Sequence, residues 1–265
     1  MPSAPDWIVF ERFSDSGETS YTRVDLAFRD PAERDGNTQL ATMKFSWPAA
    51  ADGDDFDAQP EARAAEIALA LDDALAEQAD VLLAGETTRP TGSTVYLYFP
   101  ADMPVGEVES LVQSVKTVSP FTFATKGDPA WEVFTSELNP TDDEELAARQ
   151  VACYAPLFAL EEDLSVEREV VMFFAFKSIN ERDKAHNAAM KDGRRTVPDE
   201  NEYGRPMLGF VLQSDLEVET IKGLATELTK FVRPFGGRFE LFDAEVFNAP
   251  DDDDEGDEEA GGEQR

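Results

Sequence analysis

Any nucleophilic or acid–base chemistry in this 265-residue chain must come from one histidine, one cysteine and a large excess of carboxylates. His186 stands in a charged, helix-like run beside Lys184, Asn187 and Lys191. A Ser–His–Asp or Cys–His site would require the fold to carry it to a serine or to Cys153. Nothing local does so, and His186 reads as a solvated histidine on a helix surface. Cys153, followed by Tyr154-Ala155-Pro156-Leu157-Phe158, reads as a small packed residue of a helix. One cysteine and one histidine do not make a typical four-ligand zinc set. The run Asp52-Gly53-Asp54-Asp55-Phe56-Asp57 lacks the alternating ligands and closing glutamate of a calcium loop, so it reads as a flexible acidic loop. Gly85, Gly92, Gly204 and Gly209 form no phosphate-binding fingerprint, and Gly236-Gly237 has the chemistry of a helix cap and turn. Arg194-Arg195 is the one local basic spot, expected to pair with acidic neighbours rather than with an acidic ligand. No catalytic, cofactor-binding or metal-binding residue is assigned.

Charge is the outlying property. The chain has 56 acidic and 23 basic residues, a net charge of −33, with 42% hydrophobic and 10% aromatic residues. That hydrophobic content supports a real core. Residues 251–265 hold nine acidic and one basic residue and nothing apolar to anchor them, so a disordered acidic tail is expected. Without the tail's net −8 the rest still carries −25. Such a surface suits a basic partner or salt adaptation. It disfavours direct nucleic-acid binding, which needs Lys and Arg clusters. No apolar run approaches the ~18 residues that span a bilayer. No secretory signal is recognised at the N-terminus, and a single cysteine is in keeping with a reducing, cytoplasmic setting.

Polarity patterns supply the elements. Residues 7–13 and 21–28 alternate like half-buried strands around the turn Ser14-Asp15-Ser16-Gly17, predicting a hairpin. From residue 40 the order is strand (40–47), acidic loop (48–60), helix (61–78), strands (80–88 and 93–99), helix (105–118) and short strand (121–124). Trp131, Val133, Phe134 and Leu138 form an apolar cluster closed by Asn139-Pro140. Thr141-Asp142-Asp143-Glu144 has the chemistry of a helix start, and Pro156 should kink or end that helix early. The second half repeats the order with a strand (170–176), helix (180–191), strands (194–197 and 206–213), helix (218–232) and strand (236–246). The strand 170–176 is apolar almost throughout, which fits a central strand buried on both sides or a hydrophobic groove. The order βαββαβ, met twice, predicts an α+β fold of two tandem ferredoxin-like sandwich domains with antiparallel sheets. They are expected at 1–140, with the extra hairpin, and 141–250, followed by the tail 251–265.

The C-terminal part resembles the ribonuclease E inhibitor RraB (regulator of ribonuclease activity B) domain. The likeness rests on Arg168-Glu169-Val170-Val171-Met172-Phe173-Phe174-Ala175-Phe176, on Asn180-Glu181-Arg182-Asp183, on Leu224, Leu228 and Phe231, and on Gly236-Gly237-Arg238-Phe239-Glu240-Leu241-Phe242. Leu241 and Phe242 stand where the family has Gly-Trp, and Met172-Phe173 where it usually has His-Trp. The N-terminal part resembles the bacterial domain of unknown function 695. There the likeness rests on Trp7, Arg89 before Tyr96-Leu97-Tyr98-Phe99, Asp128-Pro129-Ala130-Trp131-Glu132-Val133-Phe134, and Leu138-Asn139-Pro140. The resemblance implies an acidic protein that acts by binding another protein, in the best-known case the scaffold region of the RNA-degrading endonuclease E. It implies no catalytic residues.

The expectation is therefore a non-enzymatic regulator that binds a basic protein, a ribonuclease among the candidates, with no cofactor, nucleic acid or membrane. Acidic side chains would steer the partner and exposed aromatics would fix it. The candidate contact residues are Phe239, Phe242, Asp243 and Glu245, and the tail residues Asp251, Asp252, Asp253 and Asp254. The rival readings are an immunity-type protein neutralising a basic toxin nuclease, a carboxylate-based enzyme, and salt adaptation alone.

Overall fold

The alternating segments Trp7–Phe13 (β1) and Thr19–Asp25 (β2) pair antiparallel, as their polarity predicts. Strand β2 stops at Asp25 rather than at 28. The Asp25 carboxylate accepts the Ala27 N–H at 3.0 Å and turns Leu26–Arg29 into a 3-10 turn. The computed structural model describes residues 5–13, 17–47, 58–75, 78, 80–117, 120–201 and 204–247. The expected acidic loop therefore lies largely outside the described residues, and the tail 251–265 lies wholly outside them. The chain divides into two compact units, Met1–Ala148 and Arg149–Arg265. The dividing point falls inside the helix Asp142–Ala159 (α3), just past the boundary expected at 140.

In the first unit Asn37–Ser46 (β3), Leu82–Arg89 (β4), Gly92–Pro100 (β5) and Phe121–Gly127 (β6) join the hairpin in one sheet, ordered β1-β2-β4-β5-β3-β6, all pairs antiparallel. Two cores lie on its two faces. Met43, Phe45, Val95, Leu97 and Phe99 pack with Ile67 and Leu71 of Ala58–Leu75 (α1) and Val108 of Val105–Leu111 (α2). The predicted helix 105–118 is α2 followed by a 3-10 stretch, Val112–Thr117. The intervening side chains of β5, Tyr96 and Tyr98, point the other way. They meet Phe10, Val24, Leu40 and the cluster Trp131, Val133, Phe134 and Leu138. Period-2 alternation with both faces buried makes the Val95–Phe99 part of β5 a continuous hydrophobic run.

That second core is pinned by a polar knot. The Tyr98 ring stacks on Trp131 with centroids 3.6 Å apart. The Tyr98 hydroxyl donates to Asp128 Oδ2 at 2.7 Å, and Asp128 accepts the N–H groups of Glu132 (2.7 Å) and Val133 (3.1 Å). Asp128 thus caps the turn that carries the apolar cluster. Trp131 takes a φ of 54°, a costly left-handed geometry for an aromatic residue. Its indole N–H donates to the Asn37 carbonyl at 2.7 Å, which helps hold it there.

The second unit is a four-stranded antiparallel sheet of Arg168–Ala175 (β7), Thr196–Glu200 (β8), Pro206–Ser214 (β9) and Arg238–Ala244 (β10), ordered β10-β7-β9-β8. Helices Ile179–Lys191 (α4) and Val218–Val232 (α5) follow β7 and β9. The last four strands of each unit therefore share one spatial order: fourth, first, third, second. Val170, Met172 and Phe174 are fully buried. Phe174 meets Phe210 and Phe239 edge-on at 5.5 and 5.7 Å, and Phe210 meets Phe231 of α5. Strand β8 starts two residues later than predicted and contains Pro198, which a sheet's outermost strand tolerates. Helix α3 opens with a reciprocal capping box: Glu144 N–H to Thr141 Oγ1 at 3.2 Å and Thr141 N–H to Glu144 Oε2 at 2.7 Å. It runs three residues past Pro156 without ending there, and closes with Glu161 at φ 52° and Glu162 N–H on the Leu157 carbonyl.

A buried ion pair ties this unit together. Arg168 and Glu162 lie 2.5 Å apart with both side chains fully inaccessible. Arg168 also donates to the carbonyls of Asp163, Val166 and Glu245, while Glu162 accepts the Phe247 N–H at 3.1 Å.

Two stability outcomes follow from these contacts. Asp128→Ala removes a cap and takes the acceptor from the Tyr98 hydroxyl, which keeps only the Phe134 N–H that it accepts at 3.3 Å, so it should cost about 2–3 kcal/mol. Urea denaturation of the full chain, followed by tryptophan fluorescence, checks this. Glu162→Ala leaves Arg168 buried without its carboxylate and should cost about 3–5 kcal/mol, whereas Glu162→Leu with Arg168→Met should be milder. Circular dichroism in urea reads that ranking.

Candidate functional site

The candidate contact residues fall on β10 and just beyond it, and the strand's register sorts them. Phe239 pairs with Phe174 and Leu241 with Phe173, so the register shifts at Glu240. Strict alternation would put Phe239 and Phe242 on opposite faces. The extra residue turns both inward, where they are 3% and 7% exposed. Phe242 packs edge-on against Tyr154 at 5.2 Å. The expectation that these two aromatics face a partner is corrected: they are core. Asp243 and Glu245 are exposed, as are Leu241 (39%) and Phe247 (52%). Asp251, Asp252, Asp253 and Asp254 lie outside the described residues.

Sheet order decides the histidine and cysteine question. Cys153 on α3 lies against β10, its Sγ accepting the Phe242 N–H at 3.5 Å, and burial pushes its thiol pKa up. His186 on α4 lies against β8, its Nδ1 2.8 Å from Thr196 Oγ1. Strands β10 and β8 are opposite edges of one sheet, so the two side chains do not form a dyad. His186 is half-buried and bonded to Thr196, rather than the solvated residue expected. Arg194 and Arg195 pair with carboxylates as expected: Arg194 with Asp192 and Glu227 at 2.9 and 3.0 Å, and Arg195 with Glu169 at 2.9 Å.

Two carboxylates in the first unit were not singled out from the sequence. Glu86 is 6% exposed on β4; burial raises its pKa, against hydrogen bonds from Ser93 (2.5 Å) and Thr88 (3.4 Å) and the charge of Arg23. Its signal was available, since it is the lone acidic residue between Asp80 and Asp102. Asp25 is 6% exposed and likewise raised by burial, while the backbone N–H groups of Asp6 and Ala27 bond it. The two have different partners, and each holds its own strand end. Tyr96 is pushed up to about 12 by burial and by Glu137. Among the described residues no group of three or more His, Cys, Asp or Glu could hold a metal ion. No helix among them is long and apolar enough to cross a membrane.

No family model matches the chain, and no curated protein matches it. Among solved structures, a crystal structure of PelD 158-CT from Pseudomonas aeruginosa PAO1 is 11% identical, with 80% of this chain and 78% of that chain covered and a TM-score of 0.23. The same protein in complex with c-di-GMP gives 12% identity, 82% and 79% coverage and a TM-score of 0.23. A hypothetical protein, at 10% identity over 91% of this chain and 95% of its own, has a TM-score of 0.17. Likenesses this distant carry no argument about ligand or activity.

The geometry of Glu86 sets a pH dependence. Its folded pKa stands above the ordinary 4.5 of a glutamate, so its contribution to stability is full below that value and is lost as pH rises through the folded pKa. Glu86→Gln should therefore raise the melting temperature at pH 7 relative to the parent, with the gap closing below pH ~4. Calorimetry across pH checks this, and an equal gap at all pH values would contradict it.

Proposed function

We propose that this chain is a non-enzymatic, acidic protein-binding regulator whose partner presents a basic segment. The observation that carries the reading is where the cations go. Arg12, Arg29, Arg149, Arg168, Arg182, Arg194, Arg195, Arg205 and Arg238 all sit within 4.0 Å of carboxylates. With these arginines drawn into internal pairs, the net charge of −33 is expressed by the remaining Asp and Glu side chains. A field of one sign speeds encounter with a basic segment and excludes polyanions. The free cysteine, with its raised thiol, fits a cytoplasmic setting.

On this reading both units are ferredoxin-like sandwiches, supported by the strand order they share. The resemblance to a domain of unknown function 695 followed by an RraB-like domain makes the basic scaffold of an RNA-degrading endonuclease the first partner to test. An immunity-type role against a basic toxin nuclease rests on the same charge and differs only in the partner.

The test is retention of that scaffold, and separately of a basic nuclease, on immobilised full-length protein and on a form ending at Pro250. Binding near 50 mM salt should be lost toward 0.5 M, where the Debye length falls to about 4 Å. Loss of retention in the shorter form assigns binding to the tail. Failure of both forms to retain either basic protein at low salt would sink the reading.

A further inference from the structure

The first unit's sheet sorts its acids to one side. Strands β1, β2 and β4 carry Glu11, Asp25 and Glu86, whereas β5, β3 and β6, which complete the sheet, carry no acidic residue. In sequence, 110–127 is the longest stretch without Asp or Glu, and Lys116 and Lys126 are its only charges. Of the acids that bound it, Glu109 is half-buried, while Asp128 is buried and holds the Tyr98 hydroxyl. The nearest exposed acids in sequence are Glu107 and Glu132. In a chain of net charge −33, this end of the sheet is where a second anionic molecule meets least repulsion.

Strand β6 forms that end, and among the described residues it pairs with β3 alone. The Asp128 N–H donates to the Thr38 carbonyl at 2.9 Å, in the same register as the strand pair. The Thr42 hydroxyl lies 3.5 Å from the Ala124 carbonyl. Antiparallel pairing alternates, so Thr122, Ala124 and Lys126 turn their backbone groups to β3, and Phe123, Thr125 and Gly127 turn theirs to the open side. The strand is a ready template. It has no proline and no register shift against β3, its residues 122 and 124–127 are exposed, and Lys126 is its one charge. The opposite edge, β1, differs: it carries Glu11, and its Arg12 is tied to Glu144 and the Asn139 carbonyl.

We propose that the β6 edge pairs antiparallel with the β6 edge of a second copy of this chain, about a twofold axis at Ala124. Two identical strands meet antiparallel when related by such an axis. This register sets Phe123 opposite the other copy's Thr125 in both directions, so the outward backbone groups of both residues bond. It sets Ala124 opposite Ala124, and Lys126 opposite Thr122 rather than opposite a like charge. Phe123, half-buried at the margin of the core, gains a cross-strand neighbour on its own face. Charge selects the occupant: an edge without carboxylates has nothing to draw a basic segment, whereas a second copy brings no carboxylate against it.

The test is the mass of the full chain by sedimentation equilibrium at about 0.05 M and about 0.5 M salt, where the Debye length is about 14 and 4 Å. A dimer should form and grow with salt, because screening relieves the repulsion between two anionic bodies; binding of a basic partner has the opposite salt dependence. Ala124→Glu and Ala124→Lys each place like charges face to face and should weaken the dimer about fivefold, while an equal mixture of the two should restore it as a heterodimer. Thr125→Pro removes an outward N–H that the sheet itself does not use and should weaken it more than about tenfold. On the unaltered chain, the Phe123 and Thr125 amides should exchange hydrogen more slowly as protein concentration rises, which keeps the test valid if a variant misfolds. A monomer at both salts up to millimolar concentration, a dimer indifferent to all three substitutions, a mixture that stays monomeric, or exchange independent of concentration overturns the proposal. Protection of those amides by an added Lys-rich peptide in a chain that stays monomeric would assign the edge to a partner's strand and equally overturn it.

Discussion

The second unit depends on two charges withdrawn from water. Glu162 sits just past the end of α3, and Arg168 is the first residue of β7. Taking each ion out of water costs several kcal/mol, about the scale of a small domain's net stability. The pair persists because almost every valence is answered. Arg168 reaches three carbonyls besides the carboxylate, its guanidinium lies 4.4 Å from the Phe247 ring, and Glu162 accepts the Phe247 N–H. One ion pair thereby fixes the helix end, the start of the central strand and the chain beyond β10. That gives the unit a single register, and the faces of its strands are defined from there.

The first unit solves the same problem with one carboxylate held by neutral donors. Its sheet is buried on both faces, so the turn that lies over the second core must satisfy its own backbone. Asp128 takes two of those N–H groups and the Tyr98 hydroxyl together. Trp131 accepts a left-handed backbone in return for stacking on Tyr98 and bonding the Asn37 carbonyl. In both units the most constrained polar groups serve the fold. Glu86, Asp25, Cys153 and His186 each satisfy a neighbour in the core or at a strand edge, which is why a group with a shifted pKa here is not by itself evidence of catalysis.

Edge strands expose another shared constraint. Strand β10 would present unpaired backbone, but α3 lies along it, with Cys153 taking the Phe242 N–H and Arg149 lying 3.5 Å from Glu240. Strand β8 is short and carries Pro198, which supplies no donor.

Much of this was legible in the sequence, for local reasons. Alternation marked both strands of the hairpin, helical spacing marked α4 and α5, and Gly236-Gly237 marked the turn before β10, where Gly236 takes φ 79°. Thr141 and Glu144 announced the start of α3, and composition alone established the acidic surface. Tertiary structure decided what depends on pairing between distant residues. A single extra residue at Glu240 turned Phe239 and Phe242 into the core; the adjacent apolar pair Leu241-Phe242 breaks the alternation in the sequence, but only the pairing with β7 decides which of the two faces inward. The sheet order put Cys153 and His186 at opposite edges. The apolar run 170–176 proved to send Val170, Met172 and Phe174 into the core and to leave Val171 and Phe173 half-buried on the other face, because local period reports which residues share a face, and only the packed chain determines what lies against it.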